Sequence, residues 1–105
     1  MDRWVGKVAL VTGASAGIGA AIAEELARQG LKVVGLARRV ERVEEIKKKL
    51  GKVQGELFPL QGDVSKEEDI NKTFAWIKNK FGTIHVLINN AGIIRQGSLL
   101  GESPE

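Results

Sequence analysis

Apolar residues fall along this chain in two rhythms. Short continuous runs alternate with longer stretches in which apolar positions recur every three or four residues. The first rhythm reads as buried strand and the second as amphipathic helix. Val8–Val11 is the first run, bounded by Lys7 and by Thr12-Gly13. From about Gly17 to Gln29, Ile18, Ile22 and Leu26 recur at helical spacing, with small Ala21 and Ala23 beside them for close packing, and Gly30 follows where a left-handed residue ends a helix. Val33–Ala37 is the second strand. Val40 to Leu50 is the second helix, with Val40, Val43, Ile46 and Leu50 as its stripe. Glu44–Lys48 and Glu45–Lys49 stand in the favourable i,i+4 order, and Lys47, Lys48 and Lys49 occupy the last turn, where the helix dipole favours cations.

The third strand lies in Glu56–Gln61. Pro59 within it cannot donate to a ladder, which predicts an edge position. Ser65 and Glu68 have the spacing of a capping box, with Ser65 as N-cap. The third helix follows, its stripe formed by Ile70, Phe74, Ile77 and Phe81, and Gly82 ends it. The fourth strand is Ile84–Ile88, with His85 a packed residue within it. Strands alternating with helix-length crossovers make a parallel sheet, and the edge proline on strand three suits the order 3-2-1-4, with helices on both faces. The fold class is α/β, a parallel sheet that breaks off after its fourth strand.

Composition narrows the classes. The chain has 105 residues, enough for one domain. A hydrophobic content of 43% supports a packed core and argues against disorder. The net charge of +3 comes mostly from lysines on one predicted helix, a solvated face. No basic stretch is interleaved with stacking aromatics, so nucleic acid is not expected as a partner. With no cysteine and one histidine, no thiolate or histidine-cluster metal site can be built, and no metal is expected. No apolar run approaches the roughly 20 residues of a membrane span, and the N-terminus lacks a signal-peptide core, so a cytoplasmic location is expected.

The candidate chemistry gathers at strand ends. Thr12-Gly13-Ala14-Ser15-Ala16-Gly17-Ile18-Gly19 is a glycine turn between a strand and a helix. That layout points bare backbone N–H groups at an anion. Gly13 allows the tight turn, Gly17 allows a pyrophosphate to approach without meeting a Cβ, and Gly19 allows the helix to lie close to the sheet. A purely structural turn is the alternative. Arg38, Asp63 and Asn89–Gly92 also fall at strand C-terminal ends, so four loops converge on one edge of the sheet.

These residues together resemble the short-chain dehydrogenase/reductase family. Thr12 to Gly19 resembles its T-G-x-x-x-G-I-G motif, Asn89-Asn90-Ala91-Gly92 its N-N-A-G motif, and Asp63-Val64 its adenine-contacting pair. The resemblance implies a Rossmann-like fold and a nicotinamide cofactor. It implies that Ser15, Ala16, Gly17 and Ile18 bind the pyrophosphate and adjacent ribose. It further implies that Asp63 accepts a hydrogen bond from the adenine amino group, that Val64 packs beside the ring, and that Asn90, Ala91 and Gly92 approach the cofactor ribose. Asp63 as a simple turn residue, and Asn90 as a tie between strands, remain alternatives.

The choice between cofactors turns on the end of strand two. A site for NAD places a carboxylate there, on the ribose 2′-hydroxyl. Here Ala37 is followed by Arg38-Arg39, and guanidinium groups accept a 2′-phosphate. NADP(H) is therefore the expected cofactor; a solvated arginine pair is the alternative. The family has a basic residue before the middle glycine in some members that prefer NADP, where this chain has Ala16; Ser15 can offer a hydroxyl.

The family's chemistry uses a Ser, a Tyr and a Lys four residues after it, and a later Asn. This chain has no tyrosine, and those positions lie beyond residue 105, so no catalytic residue is named. Ser103-Pro104-Glu105 reads as a helix start. Residues 1–105 are thus expected to be the NADP-binding N-terminal half of a longer reductase, inactive alone. The resemblance implies a small-molecule alcohol or carbonyl substrate and a homo-oligomer when complete. A non-catalytic dinucleotide-binding module or assembly subunit is the other reading.

Overall fold

The computed structural model describes residues 4–15 and 17–90. Its elements are β1 (Val8–Thr12), α1 (Gly17–Arg28), β2 (Lys32–Ala37), α2 (Val40–Leu50), β3 (Glu56–Gln61), α3 (Glu67–Phe81) and β4 (Val86–Asn89). The strands form one sheet in the order β3-β2-β1-β4, and every neighbouring pair is parallel. This is the expected topology, with Pro59 on an edge strand opposite Gly35.

Both faces of β1 are covered, which is why all its residues are buried and none is charged. Successive side chains point to opposite faces. Ala9 and Val11 pack with Ala23, Ala27 and Val43 from α1 and α2. Val8 and Leu10 pack with Ile77, Phe74 and Trp76 from α3. The helices therefore lie on both sides of the sheet. Phe58, Trp76 and Phe81 form an edge-to-face trio on the α3 side, with centroids 5.3 to 6.2 Å apart.

Four local expectations are corrected. On α1 the buried stripe is Gly19, Ala23 and Ala27, whereas Ile18 is 70% exposed and Ala21 is exposed. The small residues face the sheet because they let the helix axis approach it; Ile22 and Leu26 flank the contact, half-buried. Ser65 does not cap α3. The N-cap is Lys66, without a side-chain cap, because the Ser65 hydroxyl donates to Asp63 instead. His85 precedes β4 and is exposed; its Nδ1 accepts the Val8 N–H at 3.0 Å and its own N–H donates to the Val8 carbonyl. Lys47 pairs with Glu56 at the β3 edge, while neither expected i,i+4 pair on α2 forms within ion-pair distance among the described residues. The helix start expected at Ser103 lies outside the described residues.

Candidate functional site

The C-terminal ends of β1, β2 and β3 surround a cleft of about 560 Å³. Gly13 and Ser15 border it from the β1 side. Arg38, Arg39 and Arg42 border it from the end of β2 and the start of α2, and Asp63, Val64 and Ser65 from the turn after β3. Ala37 lies between these groups with Leu36 and Gly62. Such a volume is ordinary for a site that takes a small organic ligand.

The glycine turn is held from behind. The Ala14 N–H donates to the Leu36 carbonyl at 3.2 Å, which ties the turn to the end of β2. Gly13 and Gly17 have φ of +65° and +60°, a left-handed conformation that side chains disfavour. A Cβ on Gly17 would project into open space, so no described residue crowds an approach to the backbone there. Gly19 is the opposite case. A Cβ there would run into the Gly13 carbonyl and come within 2.7 Å of Asn90 Nδ2. Its lack of a side chain is what lets α1, the turn and the end of β4 meet.

Thr12 completes that junction. Its buried hydroxyl donates to Asn89 Oδ1 at 3.0 Å and accepts the Asn90 N–H at 3.0 Å. One side chain thereby fixes the end of β1 to the end of β4. Motif reading gave Thr12 no role of its own; its signal was a hydroxyl at the last position of an otherwise apolar central strand.

Asp63 is fixed just as tightly. Its Oδ1 accepts the Ser65 N–H at 2.9 Å and the Ser65 hydroxyl at 2.7 Å, while its own N–H donates to Asp69 Oδ2 at 2.9 Å. The Ser65 backbone bond, then the hydroxyl bond, hold the carboxyl below its ordinary value. Partial desolvation opposes them, and the charges of Arg38 and Lys66 act in the same direction as the bonds. Asp63 is thus an ionised acceptor at neutral pH with one oxygen already engaged. Gln61 Nε2 donates to the Arg38 carbonyl at 3.3 Å, linking the turns after β2 and β3.

Of the residues singled out from sequence, Gly13, Ser15, Arg38, Arg39, Asp63 and Val64 come together in the cleft. Gly17, Ile18, Gly19 and Asn90 do not line it; Gly19 and Asn90 meet at the β1–β4 side. Ala16, Ala91 and Gly92 lie outside the described residues. Arg42 and Ser65 line the cleft and were missed. Arg42 was legible as the residue one helical turn past Arg38.

A parallel sheet in this order, with a glycine turn at the point where strand order reverses and an open crevice beyond the strand ends, defines a dinucleotide-binding α/β fold. The family model for short chain dehydrogenase matches residues 7–104, and the chain belongs to that family of oxidoreductases. Among curated proteins, it is 61% identical over 102 residues to farnesol dehydrogenase of Aedes aegypti, covering 96% of this chain and 42% of that protein. It is 48% identical over 105 residues to human dehydrogenase/reductase SDR family member 11, covering 98% of this chain and 40% of that one. The chain thus spans about two fifths of the length of these relatives. A metagenomic short-chain oxidoreductase solved in complex with NADP superposes with a TM-score of 0.80 at 39% identity, covering 86% of this chain and 41% of that one. Among the described residues no helix is long and apolar enough to cross a membrane.

Proposed function

We propose that residues 1–105 form the NADP(H)-binding domain of a reductase that moves hydride between the nicotinamide and an alcohol or carbonyl substrate. The observation that carries this reading is the cleft, whose lining among the described residues includes three guanidinium groups, Arg38, Arg39 and Arg42, and one carboxylate, Asp63. At the end of β2, where a ribose 2′-hydroxyl would call for a carboxylate, the chain offers Ala37 and then guanidinium groups. The NADP-bound neighbour supports the same choice.

In this reading Gly13 and Gly19 shape the turn. Ser15, Ala16, Gly17 and Ile18 take the pyrophosphate and adjacent ribose on backbone N–H groups. Arg38 and Arg39 hold the 2′-phosphate. Asp63, oriented by Ser65, accepts from the adenine amino group, and Val64 packs on the ring. Asn90, Ala91 and Gly92 approach the cofactor ribose, with Thr12 fixing where Asn90 begins. Bound nicotinamide would supply the hydride donor or acceptor. None of these residues is assigned a proton-transfer role, so the 105 residues alone bind without turnover. The same reading takes the complete enzyme as a cytoplasmic homo-oligomer acting on a small molecule.

Calorimetric titration tests it. NADPH is expected to bind at least about tenfold more tightly than NADH, the scale of one charge-assisted hydrogen bond. Equal affinity would overturn the cofactor choice, and no binding would overturn the site. Appending a relative's segment containing Tyr-x-x-x-Lys should then yield alcohol or carbonyl turnover. Binding that persists there without turnover would favour the non-catalytic module.

A further inference from the structure

We infer that Arg42 is a specificity-determining residue that reads the cofactor's 2′-phosphate from the helix side of the cleft. This rests on the NADP(H) reading above. Arg42 stands in the first turn of α2, whose N-cap is Arg39 without a side-chain cap. The positive end of a helix disfavours a cation there. Glu41 is the residue of that turn whose charge suits this end. The Arg42 side chain is exposed, so packing does not require it, and none of the ion pairs formed among the described residues involves it. The hydrogen bond from the Arg42 N–H to the Arg39 carbonyl, 3.0 Å, sets its turn directly against the end of β2.

Arg38 and Arg39 reach the cleft from the loop, and Arg42 reaches it from one helical turn further on. Like charges gathered around one cleft repel one another, and a dianionic phosphate between them removes that cost. A cation in the first turn of a helix, exposed and outside every ion pair formed among the described residues, is placed for a ligand anion. An unphosphorylated ribose would gain nothing from it.

The test is Arg42→Gln in the full chain, with Arg42→Lys beside it and thermal melts to confirm folding. Titrants are NADPH, NADH, adenosine 2′,5′-bisphosphate and AMP. The glutamine variant should weaken NADPH and the bisphosphate about tenfold, the scale of a lost charged hydrogen bond, and move NADH and AMP less than about twofold. The lysine variant should recover part of the loss, since it keeps the charge without the fork. An unchanged NADPH affinity, or equal losses for NADPH and NADH, with the wild-type preference intact, would overturn the role of Arg42 alone. A wild-type chain without a preference for NADPH would overturn the cofactor reading and this inference with it.

Discussion

The glycine turn after β1 and the arginine rim after β2 border the same cleft, yet they are made of different material. The turn works through its backbone and through the side chains missing at Gly13, Gly17 and Gly19. Gly19 sits against the Gly13 carbonyl and Asn90, and Ala14 is bonded to the end of β2. The rim works by side chains alone: Arg38, Arg39 and Arg42 are all exposed. The turn is therefore part of the fold, and a ligand only uses it. The rim is made of exposed side chains, and in the proposed reading a ligand is its reason. Substitutions on the two sides should separate stability from specificity.

The largest effect is expected at the turn. Gly19→Ala forces a Cβ into backbone that cannot yield, at a cost of about 3 kcal/mol. For a chain of this size that lowers Tm by roughly 15 °C, and cofactor binding should fall with it. A melt unchanged from wild type would contradict the close approach at Gly19. At the rim, Arg38→Glu should leave the melt within about 0.5 kcal/mol yet weaken NADPH by about 100-fold, because a carboxylate replaces a phosphate donor. If it also lowered stability to the extent of Gly19→Ala, the division between turn and rim would collapse.

Thr12→Val keeps the shape at the β1–β4 junction but leaves the Asn90 N–H without its acceptor, a cost of about 1–2 kcal/mol by urea denaturation. The smallest effect is with pH. Asp63 is held below its ordinary value, so its contribution to stability is present above that value and is lost only as pH falls through the lowered one. Between pH 8 and 5 it gives no slope. The 2′-phosphate does change there, losing its second charge near a pKa of about 6. NADPH affinity should thus decline modestly from pH 7 to about 5, by a few-fold, while NADH affinity stays level. Parallel declines would place the titrating group in the protein.

The same contrast explains what could be read from sequence. The first three strands, the edge position of Pro59 and the span of α2 follow from short-range pattern, and the structure reproduces them, whereas β4 begins at Val86, two residues later than expected. The stripe of α1 does not follow, because an alanine-rich helix offers two faces at the same spacing. Hydrophobicity selects Ile18, Ile22 and Leu26, while the need for a close axis selects Gly19, Ala23 and Ala27. Ser65 has two possible partners, a helix N–H and the Asp63 carboxylate, and spacing alone cannot tell which is nearer. His85 lies in an apolar stretch but serves as a backbone acceptor, which needs the position of Val8 to be seen. Of the cleft lining, Gly13, Ser15, Arg38, Arg39, Asp63 and Val64 follow from the motifs and strand ends, and Arg42 follows once α2 is placed one turn past Arg38.

The most direct measurement of the proposed cradle is an amide-resolved NMR titration of the isotope-labelled chain with NADPH. The account predicts shifts at residues 13–19, 37–42 and 62–65, with little change at the opposite end of the sheet around Lys32, Glu56 and Gly82. Saturating NADPH that moved none of the first group, or moved the second group instead, would contradict it.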